Sequence, residues 1–319
     1  MKFRITLAAV VAGAMTLTAC GSDNAATPGS AASGTGSSNP CGAGGASSAA
    51  GSSAAGSSAA GSSAAGTAGA ASKLLADAKA GKLTVGIKYD QPGLGMKMPD
   101  NTFAGFDVDV AKYVAKQLGV PDAGITFVET KSAEREDKIA KGEVDFIVGT
   151  YSITATRQQK VDFAGPYFIA HQDLLVKADN TDITGPDCLN GKILCSVTGS
   201  TSASKVKESF SKDAALQEFG TYSECVAQLK AGVVDAVTTD DAILAGYAAQ
   251  DAGQFKVVGK GFTDEKYGVG LMKGDTEGKD KITAALKAMV KDGSWKKSLD
   301  TNVGPSGYKI PEPPANMTS

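Results

Sequence analysis

Arg157 stands five residues beyond Ser152, in the stretch VDFIVGTYSITATRQQKVDFAGPYF (144–168). A strand-like run, Val144 to Val148, stops at Gly149, and the polar Thr150-Tyr151-Ser152 follows. Backbone amides, hydroxyls and a guanidinium placed just after a buried strand suit a small anion. A carboxylate is matched by a planar guanidinium aided by hydroxyl and amide donors. Taken singly, Arg157 reads equally as half of a surface ion pair. Arg135, in SAEREDK, looks like solvated helix charge until it is set beside Lys88, which ends an early strand before YDQPGLGM. Further on, VTGSTSASK (197–205) is a strand, a turn and a helix start. The amides around Thr198, Ser200 and Thr201 could hold an anion at that helix N-terminus. Asp240 ends VDAVTTD, where its carboxylate could accept an ammonium; it could also cap the next helix, a role that Asp241 fits as well. Arg157 with its hydroxyls and Asp240 ask for a small zwitterion. Lys88 and Arg135 are then surplus cations, which a second carboxylate on the ligand would use.

Composition excludes several other chemistries. Net charge is −2 over 319 residues, which gives nucleic-acid binding no general electrostatic support. His171 is the single histidine, too few for a multi-His metal site, and it sits in an apolar strand pattern unsuited to a Ser-His-Asp triad. No cofactor is called for.

The elements that must position these residues begin near Ser72. KLTVGIKY, ITFVET and VDFIVGT read as strands, with amphipathic GFDVDVAKYVAKQLG and the shorter EREDKIAKGE as helices between them. The pattern then restarts. KILCSVT, ALQEF and VDAVTTD are strands, and STSASKVKESF and SECVAQLKAG are helices. KGEVDFIVGT and AGVVDAVTTD share one plan, a helix end, a turn and a strand whose end turns polar. This is an α/β protein of two similar lobes. Ligands of open α/β sheets gather beyond the carboxyl ends of strands, so both polar strand ends should face one cleft.

The chain opens with MKFRITLAAVVAGAMTLTAC. Lys2 and Arg4 precede an apolar stretch too short for a membrane span, the pattern of a secretory signal over 1–19. Leu17-Thr18-Ala19-Cys20 resembles the bacterial lipobox, which implies cleavage before Cys20 and lipidation of its thiol. Residues 20–71 then form a tether of almost nothing but Gly, Ala, Ser and Thr, in which SSAAG recurs four times. Such a coil reaches roughly 40 Å. It would hold the head off an outer membrane face. Cys41 falls in the tether; Cys188, Cys195 and Cys225 fall in the head. Export makes a disulfide plausible, and a helix packed on its own sheet could join Cys195 to Cys225. Cys188–Cys225 and three free thiols are the alternatives.

GFDVDVAKYVAKQLG, VTGSTSA, VDAVTTDDAILAGY and above all the T-x-x-R-x-x-x-V-D-F-x-x-P-Y run (154–167) closely resemble extracytoplasmic solute-binding proteins of polar amino-acid ABC importers. The resemblance covers about 73–303, and GIKYDQPGLG (86–95) is similar to the glutamate-binding branch. It implies a type II periplasmic-binding-protein-like fold, with two hinge strands between the lobes and a ligand cleft. Lobe 1 would take 72–175 and 267–305, lobe 2 would take 176–266, and 306–319 would be a tail. The hinge crossings would fall near Gln172 to Val176 and Tyr267 to Met272, and KITAALKAMVKDGSWKKSLDTNVG would close lobe 1. Transferred to this sequence, Arg157 and Ser152 would hold an α-carboxylate, with Thr150 and its neighbours Gly149 and Tyr151. Asp240 would hold the α-ammonium, and Thr198, Ser200 and Thr201 would close from lobe 2. Lys88 and Arg135 would hold a side-chain carboxylate. Gln91-Pro92-Gly93 occupies the place where the family often has a covering aromatic.

The function implied is capture of L-glutamate or L-aspartate by a lipid-anchored, monomeric, extracytoplasmic receptor, with delivery to an ABC permease and its ATPase and no catalysis. The alternatives are a glutamine or asparagine receptor, a sensor acting through a membrane kinase, and a dehydratase using Asp240 as acid.

Overall fold

The computed structural model describes Cys41 and residues 72–317. The expected signal, Cys20 and the tether apart from Cys41 lie outside the described residues. Ser72 caps α1 (Lys73–Lys79), its hydroxyl accepting from the Leu75 amide. The apolar run that follows becomes β1 (Leu83–Ile87). A small antiparallel sheet, β2 (Asp90–Gln91), β3 (Gly95–Lys97) and β4 (Phe103–Ala104), leads into α2 (Phe106–Gln117). Gly105 makes that entry possible. Its φ is +123°, and a Cβ there would lie 2.2 Å from the Leu94 carbonyl oxygen. Then come β5 (Ile125–Glu129), α3 (Arg135–Ala140), β6 (Phe146–Val148) and α4 (Ala155–Gln158).

A long strand, β7 (Val161–Lys177), carries the chain into the second half. That half holds β8 (Ile193–Val197), α5 (Ser202–Ser209), β9 (Ala215–Phe219), α6 (Tyr222–Ala231), β10 (Ala236–Asp240), α7 (Asp241–Gln250) and β11 (Phe255–Val257). The chain returns through β12 (Asp264–Met272) to α8 (Thr276–Lys291) and α9 (Ser294–Asn302). The closing helical run is thus two helices, parted at Gly293, whose φ of +80° a continuing helix cannot accept.

The strands run in the order β5-β1-β6-β12-β7-β10-β8-β9, with β11 also on β7. On one side β5, β1 and β6 are parallel, and on the other so are β10, β8 and β9. Between them, β12 and β7 are antiparallel to each other and to their outer neighbours. From Val161 to His171, β7 pairs with β12; from Gln172 it pairs with β10 and β11. One strand therefore belongs to both lobes and changes partners at Gln172. β12 already pairs at Asp264, three residues ahead of the expected crossing at Tyr267.

Lobe 1 is packed around Phe106, Phe168, Tyr167, Tyr267 and Trp295, whose rings meet at 5.6–6.4 Å between centroids. The Trp295 indole N–H donates to the Tyr167 carbonyl at 2.7 Å. Truncating such a ring costs about 3–5 kcal/mol. Beyond the change of partner, Leu174, Val176, Leu189, Leu194, Val206 and Ala236 form a separate cluster. Cys195 on β8 and Cys225 on α6 are bonded, with Cα atoms 5.6 Å apart, so the helix does pack on its own sheet. Cys188 bonds not to Cys225 but to Cys41, 147 residues earlier. A residue read as plain tether is thus tied to lobe 2. Among the described residues no helix is long and apolar enough to cross a membrane.

Candidate functional site

β6 ends in the turn Gly149-Thr150-Tyr151-Ser152, which is held from behind. Thr150 adopts φ +42°, a left-handed conformation that threonine resists. Its amide donates to the Asp107 carboxylate at 2.9 Å, and the other Asp107 oxygen accepts from Tyr167 at 2.8 Å. Burial raises that carboxyl to about 6, against the pull of these two donors. The Thr150 hydroxyl meets the Gln91 side-chain amide at 3.1 Å. Gln91 is fully buried and braces the turn.

The two arginines flank Tyr151. The Arg135 guanidinium carbon lies 4.0 Å from the ring centroid and that of Arg157 lies 5.1 Å away. Arg135 donates to the Ser132, Gly149 and Thr150 carbonyls at 3.2, 3.2 and 3.5 Å. Arg157 is fixed by α4, whose first turn is capped by the Thr154 hydroxyl at 3.2 Å from the Arg157 amide. Its guanidinium donates to the Ser152 carbonyl at 2.8 Å and pairs with Glu136 at 3.3 Å. It also crosses the cleft to the Gly199 carbonyl at 3.0 Å. Arg157 is therefore buried and directed inward, not half of a surface ion pair.

Lys88 is 4 % exposed, and its ammonium donates to the Ser132 hydroxyl at 2.8 Å. Burial first, then the charges of Arg135 and Arg157, push it down to about 7. On the facing lobe, Asp240 is buried at the end of β10 and accepts from the Tyr267 hydroxyl. It makes no capping bond to α7; Asp241, the first residue of that helix, accepts from the Ala242 amide and from the His171 amide of β7. Burial and nearby Glu265 raise Asp240 to about 7.

These groups enclose one small polar cavity. Lobe 1 lines it with Ser132, Arg135, Thr150, Ser152 and Arg157. Lobe 2 adds Ser200, Thr201, Ser202, Tyr222, Thr239, Asp240 and Ile243. Lys88 reaches it through Ser132 and lines an adjoining space closed by Tyr222. Gly149 and Tyr151 stand behind the wall as backbone acceptor and stacking surface. Thr198 is exposed and outside the cluster. The sequence did not point to Ser132, Ser202, Tyr222, Thr239 or Ile243. Neither Ser132 nor Tyr222 had a local signal, since α3 opens with acidic Glu136 and Asp137 after Arg135.

The lobes touch across this cavity. Asp90 of lobe 1 accepts from the Tyr222 and Ser223 amides at the start of α6, at 2.9 and 3.2 Å, and its carbonyl takes the Tyr247 hydroxyl. Such a site, cationic on one wall and anionic on the other, is electrostatically complementary to an amino acid.

Comparison with known proteins gives the same picture. The glutamate-binding protein GluB of Corynebacterium efficiens is 49% identical over 249 residues, 75% of this chain and 84% of that protein. The glutamine-binding protein GlnH of Bacillus subtilis is 37% identical over 67% of this chain and 78% of its own length. Among solved structures, an ancestral arginine-binding protein bound to glutamine matches with TM-score 0.66 and 36% identity, covering 70% of this chain and 98% of that one. An ancestral amino acid-binding protein, a precursor of cyclohexadienyl dehydratase, matches with TM-score 0.66 and 33% identity, covering 73% and 100%. The profile of bacterial extracellular solute-binding proteins, family 3, matches residues 83–305, and the chain belongs to that family.

Proposed function

We propose that this protein captures an acidic amino acid, L-glutamate or L-aspartate, outside the cytoplasm and delivers it to an ABC importer permease with its ATPase. The carrying observation is the asymmetry of the cavity. Arg135 and Arg157 line it from lobe 1, with Lys88 one hydroxyl behind at Ser132, while Asp240 faces them from lobe 2. Arg157, Ser152 and Thr150 take the α-carboxylate, and Asp240 takes the α-ammonium. Lys88, with Arg135 behind it, takes the side-chain carboxylate. Ser200 and Thr201 close from lobe 2, and Ser132 and Tyr222 join the set.

The relatives named for glutamate support this choice; the Bacillus subtilis relative named for glutamine keeps the amide as second reading. Closure is a population shift, driven by contacts made to both lobes at once. Lobe 1 spans 72–175 and 267–305, lobe 2 spans 176–266, and a lipid on Cys20 anchors a monomer to the outer membrane face. The chemistry ends at binding. Calorimetric titration with L-glutamate, L-aspartate, L-glutamine and L-asparagine, on wild type and Lys88→Ala, tests the proposal. Tight acidic-ligand binding that collapses in Lys88→Ala is expected; equal or better amide binding, indifferent to Lys88, refutes it.

A further inference from the structure

Lys88 is packed as a buried aliphatic stem. A Cβ at Gly95 would lie 3.0 Å from its Cβ, and one at Gly149 would lie 3.3 Å from its Cγ. At the tip, Ser132 is the one hydrogen-bond partner, and no carboxylate stands within ion-pair distance among the described residues. Tyr89 and Lys131 line the same adjoining space as Lys88 and bring no negative charge. Asp90, after β1, spends its carboxylate on the Tyr222 and Ser223 amides. Asp107 of α2 is committed to the Thr150 amide and Tyr167. Glu134, before α3, accepts from the Lys131 amide and lies 3.8 Å from Lys138. Arg135 of α3 and Arg157 of α4 are cations, and from lobe 2 the nearby titratable group is Tyr222. Lys88 is thus a buried amine with two guanidiniums for neighbours and no counter-charge of its own.

Resting on the acidic amino-acid reading above, we propose that Lys88 takes up one proton as an acidic side chain arrives, so that the preference for a carboxylate over its amide is set by pH. The step is a simple protonation: the ε-amine accepts H⁺ from solvent, and the arriving carboxylate supplies the missing counter-charge. An amide side chain brings none. With the lobes in contact and the cavity without ligand, burial and the two guanidiniums hold the amine down to about 7. The carboxylate lifts that value, so between the two values acidic-ligand affinity falls as pH rises, by up to about tenfold per unit. Asp240 works in the opposite sense. It too titrates near 7, and the ligand ammonium drives its proton off. That release is common to glutamate and glutamine and cancels in their ratio.

The test is calorimetry of the whole protein with L-glutamate and L-glutamine between pH 6.0 and 8.5, in buffers of different ionisation enthalpy, on wild type and Lys88→Arg. The wild type should take up more protons with glutamate than with glutamine, the difference approaching one above neutrality. The glutamate-over-glutamine preference should fall about 30-fold across the range, for an amine titrating near 7. Lys88→Arg should bind glutamate with that difference abolished, because arginine does not titrate here. Equal proton counts for the two ligands in wild type, or a difference that survives in Lys88→Arg, overturn the proton uptake and leave the acidic reading standing. Absence of glutamate binding at every pH overturns both. The wild-type count decides the matter alone if the variant does not fold.

Discussion

Gly199 offers a way to separate closure from folding. It lies in the turn after β8, with φ +79°, and its carbonyl accepts from Arg157 across the cleft at 3.0 Å. In Gly199→Ala the new methyl would sit 2.6 Å from both the Cα and the amide nitrogen of Ala133 on lobe 1. Backbone cannot swing aside as a side chain can. Ordinary contact near 3.5–4 Å therefore requires the lobes to stand off by about 1 Å here. That stretches the Arg157 bond beyond hydrogen-bonding range, losing a charge-assisted bond of about 1.5–3 kcal/mol. The left-handed backbone costs alanine a further 1–2 kcal/mol or about that. That second cost is present whether the lobes are open or closed, so it cancels in the ligand affinity. Two assays then give different answers. Thermal unfolding without ligand should show a loss of a few degrees, and calorimetry with L-glutamate should show affinity reduced about 10- to 100-fold. Unchanged affinity in a protein destabilised to that degree would refute the closure argument.

Three further outcomes are expected. Arg157→Lys keeps the charge but cannot reach Ser152, Glu136 and Gly199 together, so affinity should fall about 100-fold or more; calorimetry within threefold of wild type contradicts this. Cys195→Ser with Cys225→Ser opens a bridge spanning 30 residues and should cost about 3.5 kcal/mol in chemical denaturation, a loss below about 1 kcal/mol counting against it. Asp240→Asn should abolish binding yet raise stability above neutral pH. Because the native carboxyl titrates near 7 and the unfolded one near 4, the native state holds more protons in that window, and Asp240 destabilises progressively as pH rises through it. The melting temperature of Asp240→Asn should exceed wild type at pH 8 and match it at pH 4; no gain at pH 8 sinks the idea.

The alternation of strands and helices was legible because each element carries its own period, and the polar ends of β6 and β10 were legible because charge follows an apolar run. Arg157 and Asp240 could be found that way. Ser132 and Tyr222 could not, since the cleft unites chain segments about 90 residues apart and neither carries a local mark. Asp107, in the first turn of α2, is buried and braces Thr150, a long-range partner that no local pattern marks. Thr198 resembled its neighbours Ser200 and Thr201, but the backbone turns it outward before the cleft begins. β7 shows the same limit: its apolar run predicts a strand, the family resemblance places a crossing near Gln172 to Val176, and the pairing puts the change of partner at Gln172.

The Cys41–Cys188 bond changes the path that mechanical load takes through the molecule. The chain enters lobe 1 at Ser72, but a pull on any residue before Cys41 is delivered through sulfur to the turn Pro186–Leu189 of lobe 2. The bond closes a covalent ring over residues 42–187. A single cut between 42 and 71 would open the ring and leave every part of the molecule still joined. With the bond reduced, the same pull would shift to the other lobe, at α1.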